Sequence, residues 1–175
     1  MMKKKRLLII VDFQNDFVDG SYSFLEAINI KPHLLKLIDE FEHSQDDIVF
    51  TRDIHQSDYL LTEEGKHKPF PHCLEGTFGA EIYGKVGEIS KKYPVFDKDT
   101  YGSRKLYEYL LKHNYDEVTL VGLITSICVL ANAVVVKTAL PNAHVIVDSL
   151  GVTDPDKEIE MKTFDVLRGI DVEIK

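Results

Sequence analysis

The feature that most constrains the fold is the alternation of short apolar runs with helical patterns along 175 residues. Runs that are apolar on both faces are typical of strands buried in parallel sheets. Five such runs predict strands, and a shorter run predicts a sixth. The predicted strands are Leu7–Val11, Asp47–Thr51, Val95–Phe96, Glu117–Val121, His144–Val147 and Val172–Ile174.

The segments between these runs carry apolar residues at three- and four-residue spacing, which predicts helices. Strands that alternate with helices favour right-handed crossovers and helices on both faces of the sheet. We therefore predict one domain over residues 1–175, a three-layer α/β/α fold with an open, doubly wound, mostly parallel sheet of five or six strands. The predicted helices are Pro32–Glu42, Ser103–His113, Ile127–Leu140 and Asp156–Arg168.

The net charge of −8 limits the classes of partner. An acidic surface repels phosphate backbones and anionic headgroups, and the one basic cluster, Lys3–Arg6, is expected to be a solvated cap. The apolar run Leu7–Val11 is too short for a signal peptide, and no stretch of the sequence has membrane-spanning length. We expect a cytoplasmic protein that binds neither nucleic acid nor membrane.

Polar or reactive side chains follow four of the predicted strands. In open parallel sheets, ligands bind beyond the carboxyl ends of the strands. We therefore expect one site at this edge of the sheet, built from Asp12, Asp53, Lys98 and Cys128.

Cys128 is the candidate nucleophile. The segment Gly122–Val129 passes from a strand into an apolar helix, so Cys128 should lie in the first helical turn, with Thr125 or Ser126 as N-cap. Unpaired N–H groups there favour a thiolate and lower its pKa, and the same groups can bind an oxyanion. The second cysteine, Cys73, is expected to be structural or pocket-lining.

A thiol nucleophile needs a base and stabilisation of its anion. Asp12 can take the thiol proton and return it to a leaving amine, and Lys98 can stabilise thiolate and carboxylate by its charge. Taken singly, Cys128 is better explained as core, Asp12 as a cap and Lys98 as a surface charge. Their coincidence at three strand ends favours a catalytic set.

Four longer segments surround these residues: Val11–Phe17, Pro71–Glu81, Phe96–Ser103 and Gly122–Val129. In this order they resemble motifs of the nicotinamidase/isochorismatase-like cysteine hydrolases, and most of all the nicotinamidase (pyrazinamidase) branch. The resemblance extends over nearly the whole chain. It implies an amidohydrolase that forms a thioester and deamidates nicotinamide or a related small amide to the acid and ammonia.

The resemblance also implies roles for individual residues. Asp12 would be the general base, Lys98 its charge partner and Cys128 the nucleophile. A cis peptide bond would join Leu123 and Ile124, and the backbone N–H groups of Ile124 and Cys128 would then receive the oxyanion.

An aspartate and two histidines suit a divalent metal. Alone, Asp53, His55 and His72 would be explained as ordinary polar loop residues. The resemblance implies that they hold a metal, zinc for preference, with Mn²⁺ or Fe²⁺ fitting nearly as well. A further ligand at Asp58 or Tyr59 is left open.

The expected pocket carries two aromatic side chains, Phe17 and Phe70, which match pocket positions of the family and could stack on a flat heteroaromatic amide. Each is equally well explained as a packing residue. The chain departs from the nicotinamidase pattern at Ser126, where an acidic residue is usual, and at Ile127, where an aromatic or histidine is usual. These departures bear on the substrate rather than on the reaction class.

Two alternatives stay open. One is another reaction in the same fold, on an N-carbamoyl compound or a vinyl ether such as isochorismate; the other is a binding protein without turnover. The metal motif together with Cys128 argues against the first, and the set of Asp12, Lys98 and Cys128 argues against the second. The expected partners are a small-molecule amide and further copies of the chain in a homo-oligomer.

Overall fold

The computed structural model describes residues 4–175, and Lys3 of the basic cluster lies outside them. Its strands are β1 (Arg6–Val11), β2 (Asp47–Asp53), β3 (Val95–Lys98), β4 (Glu117–Leu123), β5 (His144–Thr153) and β6 (Val172–Ile174). They form one sheet in the order β3-β2-β1-β4-β5-β6, and every neighbouring pair is parallel. The predicted open parallel sheet is confirmed, with six strands.

The helices are α1 (Asn15–Val18), α2 (Lys31–Ser44), α3 (Glu63–His67), α4 (Gly84–Ser90), α5 (Arg104–Leu111), α6 (Leu130–Ala139) and α7 (Lys157–Arg168). The four predicted helices correspond to α2, α5, α6 and α7. The others are four to seven residues long, too short for helical periodicity to reveal. Within residues 4–175, no helix has the length and apolar character needed to cross a membrane.

Strand β1 divides its side chains between two cores. Leu7, Ile9 and Val11 are buried together with side chains of α5, α6 and α7. Leu8 and Ile10 are buried on the other face, with side chains of α2 and α4. Each fully buried aliphatic side chain of this kind contributes about 1.5–3 kcal/mol. The two cores give the predicted three layers.

The strand order places a switch point between β1 and β4. The chain continues from β1 towards β2 and β3 in one direction, whereas β4 leads to β5 and β6 in the other. Loops leaving two such neighbours diverge and open a crevice. In register, Val11 pairs with Thr51 and Gly122, and Asp53 pairs with Lys98, so the loops after β1 to β4 begin at one edge.

Gly122 permits the close approach of β4 to β1 at this switch point. Its φ is +119°, and a Cβ atom there would lie 2.0 Å from the carbonyl oxygen of Val11. Strand β5 is longer than predicted, because its pairing with β4 shifts register between Leu120 and Gly122 and then continues to Thr153.

Replacement of Gly122 by alanine should lower the free energy of unfolding by about 3 kcal/mol or more, since the new methyl group meets backbone that cannot move away. Gly76→Ala is the matched control, because Gly76 also has a positive φ of +76° but a Cβ there meets nothing within 4 Å. Gly76→Ala should lower the free energy of unfolding by only about 1 kcal/mol. Equal losses in urea unfolding would contradict the steric account.

Candidate active site

Lys98, the last residue of β3, is the point at which three reactive side chains meet. Its Nζ lies 2.7 Å from Asp12 Oδ2, 3.1 Å from Asp53 Oδ1 and 3.5 Å from Cys128 Sγ. All four residues are buried. Burial alone would lower the pKa of Lys98, but the charges of Asp12 and Asp53 raise it well above its usual value. The site therefore contains a buried, permanently charged ammonium.

Asp12 follows β1 directly, with a positive φ of 45°. The Thr51 hydroxyl donates to Asp12 Oδ1 at 2.6 Å. Burial raises the pKa of Asp12, and its repulsion by Asp53 adds to this, although Lys98 opposes both. Asp12 consequently accepts a proton more readily than an exposed aspartate does.

Cys128 lies in a wider turn than expected. Thr125–Val129 forms a single turn of π-helix, in which the Val129 N–H donates to the Ile124 carbonyl at 3.1 Å, and α6 begins only at Leu130. Such turns are frequent at functional sites. Cys128 thus lies in the first helical turn, as predicted, but the predicted start of the helix at Ile127 was wrong, since the turn is π-helical and α6 begins at Leu130.

The predicted N-cap was also wrong. The Thr125 hydroxyl donates to Glu160 Oε1 at 2.9 Å instead of capping the turn. The Ser126 N–H donates to Asp154 Oδ2 at 3.0 Å. Asp154, which follows β5, thus accepts the hydrogen bond of an N–H group in the turn. The local sequence could not reveal this distant partner.

The protonation state of Cys128 differs from expectation. Burial raises the pKa of its thiol well above the usual value, and the charges of Asp12 and Asp53 raise it further, against the opposing charge of Lys98. Cys128 is only 7% exposed. Its thiol is therefore a weaker acid than that of an exposed cysteine, which is the opposite of the predicted shift in pKa.

The peptide bond between Leu123 and Ile124 is cis, as predicted. Within the described residues, the Ile124 N–H donates to no backbone or side-chain acceptor, and Ile124 lines the cleft beside Cys128. This N–H group is available to a ligand, whereas its role in holding an oxyanion stays a prediction.

Asp53, His55 and His72 converge on one point, with one possible ligand atom from each lying within 4.8 Å of the others. Asp53 Oδ2 lies 2.9 Å from His55 Nε2 and 3.5 Å from His72 Nε2. His72 Nδ1 is bonded to the Phe70 carbonyl at 2.8 Å, which leaves Nε2 facing Asp53. A second partner of this kind is the usual means of orienting a metal-binding imidazole.

The electrostatics of Asp53 also fit a metal ligand. Burial would raise its pKa, but hydrogen bonds from His55 and His72 and the charge of Lys98 outweigh burial and hold the pKa well below its usual value. Its carboxylate is therefore ionised. Two imidazole nitrogens and one carboxylate oxygen form a donor set typical of zinc, so the residues fit a divalent metal.

Neither residue left open as a further ligand joins this cluster among residues 4–175. Asp58 is exposed. The ring of Tyr59 packs against His55, with centroids 4.6 Å apart, and its hydroxyl donates to the Lys68 carbonyl at 3.0 Å.

Gln14 is a positioning residue that the sequence reasoning missed. Its side-chain amide donates to the carbonyls of Asp53 and Ala80, each at 2.8 Å, and its carbonyl accepts from the Asp53 N–H at 2.7 Å. Asp16 acts similarly, since its Oδ2 accepts from the Cys73 N–H at 2.7 Å. The available signal in the sequence was the presence of two polar residues, Gln14 and Asp16, shortly after Asp12.

Cys73 is structural, in agreement with one of its two expected roles. It is fully buried, and its carbonyl accepts from the His55 N–H at 2.9 Å. Burial raises the pKa of its thiol. Its backbone ties the segment that carries His72 to the segment that carries His55.

Asn132, in α6, is a further positioning residue that the sequence reasoning missed. Its Nδ2 donates to the carbonyls of Cys128 and Tyr101, at 2.8 and 3.1 Å, and its Oδ1 accepts from the Ser103 N–H at 3.0 Å. The signal was a polar residue four positions after Cys128 in an apolar helix, hence on the same face.

A narrow cleft with a cavity volume of about 20 Å³ opens above these side chains. Phe17 lies in its wall as expected, but Phe70 does not. Phe70 is 60% exposed and packs on the outer side of Tyr22, with ring centroids 6.4 Å apart. The position near the metal ligands is taken by Tyr22, whose ring lies 4.9 Å from that of His72. The remaining wall residues are Asp53, Glu64, Lys68, His72, Tyr101, Ile124, Ile127 and Cys128.

The chain is similar to known hydrolases over nearly its full length. Residues 6–172 match the family model described as the isochorismatase domain. A nicotinamidase of Saccharomyces cerevisiae is 23% identical, with 97% of this chain and 98% of that protein covered.

Two solved structures have a similar fold. The nicotinamidase PncA of Bacillus subtilis is 25% identical, with a TM-score of 0.84 over 97% of this chain and 98% of that chain. A pyrazinamidase of Pyrococcus horikoshii, solved in complex with zinc, is 24% identical, with a TM-score of 0.85 over 98% of each chain.

Asn132→Ala should lower the free energy of unfolding by about 2 kcal/mol, because a buried N–H and two buried carbonyls lose their partner. It should also lower kcat at least about tenfold, since Cys128 and the cleft wall at Tyr101 lose a shared anchor. Asn142→Ala, at an exposed position, is the control and should stay within about 0.5 kcal/mol. Unfolding and turnover measured on both variants test this; a destabilised Asn132→Ala protein with full kcat would exclude the anchoring role.

Proposed function

As a member of the isochorismatase domain family, and of its nicotinamidase branch, the chain is a hydrolase of amide C–N bonds, and we propose that its substrate is nicotinamide or a closely related heteroaromatic amide. The observation that carries the proposal is the buried contact of Lys98 with Asp12 and Cys128, adjacent to the cluster of Asp53, His55 and His72. Cys128, Asp53 and His72 line one narrow cleft, and the Lys98 ammonium contacts both Cys128 and Asp53 from behind this wall.

In the first step, Asp12 accepts the proton of the Cys128 thiol as Sγ attacks the amide carbon. The new S–C bond forms while the carbonyl electron pair moves to oxygen, and the N–H groups of Ile124 and Cys128 receive the resulting negative charge. The raised pKa values of Asp12 and the Cys128 thiol support this order of events, because the proton must move before or during attack. Lys98 keeps Asp12 ionised enough to act.

In the second step, the protonated Asp12 gives its proton to the amide nitrogen, the C–N bond breaks and ammonia leaves. The product is a thioester on Cys128. Water then enters, Asp12 takes its proton, and the hydroxyl attacks the thioester carbon. The C–S bond breaks, the proton on Asp12 returns to sulfur, and the carboxylic acid is released.

Asp53, His55 and His72 would hold a divalent metal, and we propose zinc, with Mn²⁺ or Fe²⁺ as alternatives that the same donors accept. When bound, the metal supplies a positive charge that can take the lone pair of a heteroaromatic nitrogen. Phe17 and Tyr22 pack against His72 and line the cleft, so they would stack on the flat ring and exclude water. A homo-oligomeric state, a cytoplasmic location and the absence of nucleic-acid partners stay predictions from the sequence.

Ammonia release from nicotinamide, pyrazinamide, benzamide and an N-carbamoyl amino acid tests the reaction. The protein should release ammonia from nicotinamide, and Cys128→Ala should lower the rate by about 10³-fold or more. Cys73→Ala is the matched control and should keep activity of the same order, because the bonds of Cys73 to His55 and Asp16 are made by its backbone, which alanine retains. Acid quenching during turnover, followed by mass spectrometry, should find the acyl group on Cys128. Release from the N-carbamoyl compound alone would remove nicotinamide as the substrate.

Elemental analysis tests the metal. Protein passed through chelator-treated buffer should keep about one divalent metal per chain, and His55→Ala or His72→Ala should lose it. His67→Ala should not, because that imidazole is 75% exposed and is paired with Glu63. Unchanged metal content in all three variants would show that the metal binds elsewhere.

A further inference from the structure

A second depression lies beside the cleft and is continuous with it. We call it the outer groove, an open depression of about 360 Å³. Its walls are formed by Lys68, Tyr101, Ser126, Ile127, Leu130 and Ala131. Lys68, Tyr101 and Ile127 also line the cleft above Cys128. A substrate held in the cleft can therefore extend past these three side chains into the outer groove.

The outer groove combines an apolar floor with one cation. Ile127, Leu130 and Ala131 contribute apolar surface, and Lys68 is the only charged residue in the wall. The Lys68 ammonium lies 4.6 Å from the centroid of the Tyr101 ring, which favours a cation at this place. It forms no ion pair with any carboxylate of residues 4–175 within 4 Å.

The backbone that carries Lys68 is held firmly. Its N–H donates to the Glu64 carbonyl at 2.8 Å, and its carbonyl accepts from the Tyr59 hydroxyl at 3.0 Å. Tyr59 is itself buried against the metal-ligand histidines. The position of the ammonium at the border between cleft and groove is thus set by the same packing that orients the site.

The acidic residues nearest to the groove leave Lys68 uncompensated. Asp154 is 3% exposed, and its two oxygens accept from the N–H groups of Ser126 and Asp156, both at 3.0 Å. Glu64 lines the cleft but does not pair with Lys68. Lys68 is therefore the one charged side chain in the groove wall, and Ser126 adds a hydroxyl to the same wall.

We propose that the outer groove is a subsite for a carboxylate-bearing arm of the substrate, so that the enzyme prefers small aromatic amides with an anionic extension over unsubstituted ones. Lys68 is the specificity-determining residue, and it pairs with the carboxylate while the arm lies on Ile127 and Leu130. This inference rests on the proposed function, because it assumes that the amide group of the same molecule reaches Cys128.

The test compares two pyridine-3-carboxamides, one with a carboxymethyl and one with a 2-hydroxyethyl group on the ring, alongside nicotinamide. The wild-type protein should have a kcat/KM at least about tenfold higher for the anionic than for the neutral analogue. Lys68→Met retains most of the side-chain length and should abolish this preference, so that the kcat/KM values for the two analogues differ by no more than about twofold. Lys66→Met is the matched control, because Lys66 is exposed and paired with Glu63, and it should change neither value. Added salt should weaken the preference.

Equal kcat/KM values for the two analogues in the wild-type protein would overturn the subsite proposal. Turnover of nicotinamide by the same protein would still uphold the proposed function. The subsite proposal would also be overturned by a Lys68→Met variant that loses activity on both analogues alike, since Lys68 would then act only in closing the cleft over the ring. Calorimetry with Cys128→Ala separates the two ideas. Lys68-dependent binding of the carboxymethyl amide to this variant, together with failure of the wild-type protein to hydrolyse any of the three amides, would support the subsite and refute the proposed reaction.

Discussion

The buried ammonium of Lys98 is the interaction on which the rest of the site depends. Asp12 and Asp53 would otherwise be two buried carboxylates facing the same thiol, and an unpaired buried charge typically destabilises a protein by about 3–5 kcal/mol. Lys98 contacts both, and its place is set by register, because it pairs with Asp53 across β2 and β3. A single cation thereby couples the Cys128 thiol to the cluster of Asp53, His55 and His72, and neither half is electrostatically complete alone.

The sheet positions the site residues, and hydrogen bonds from side chains to distant backbone groups fix their orientation. The switch point brings the ends of β1 and β4 together because Gly122 lets their backbones approach. The loops beyond are then fixed by polar side chains: Gln14 holds β2 at Asp53, and Asn132 holds the turn at Cys128. Each of these amides has its bonding capacity filled in a buried place, where an unmade hydrogen bond is most unfavourable. Loops that are hydrogen-bonded in this way to the ends of rigid strands hold the site residues in fixed positions.

Sequence patterns predicted what depends on local periodicity and strand direction. The apolar runs located β1, β2 and β4 closely, and the strand-end rule brought Asp12, Lys98 and Cys128 together. The patterns failed where residues distant in the sequence determine the local hydrogen bonds or the lining of the cleft. Asp154 and Glu160 bond the nucleophile turn in place of a local cap, and Phe70 is outside the cleft because Tyr22 occupies the wall. The expected low pKa of Cys128 failed for the same reason, since burial among carboxylates outweighs a helix terminus.

The nucleophile turn separates the reaction from the choice of substrate. What holds the turn is the hydroxyl of Thr125, the N–H of Ser126 and the carbonyl of Cys128, which bond to Glu160, Asp154 and Asn132. The side chains of Ser126 and Ile127 take no part in these bonds and line the outer groove instead. Ser126 can therefore be substituted without loss of these bonds, whereas Ile127 also packs against both cores and lines the cleft. In such an arrangement, one set of Asp12, Lys98 and Cys128 can serve different amides, and the side chains that distinguish them include Lys68 as well as residues of the nucleophile turn.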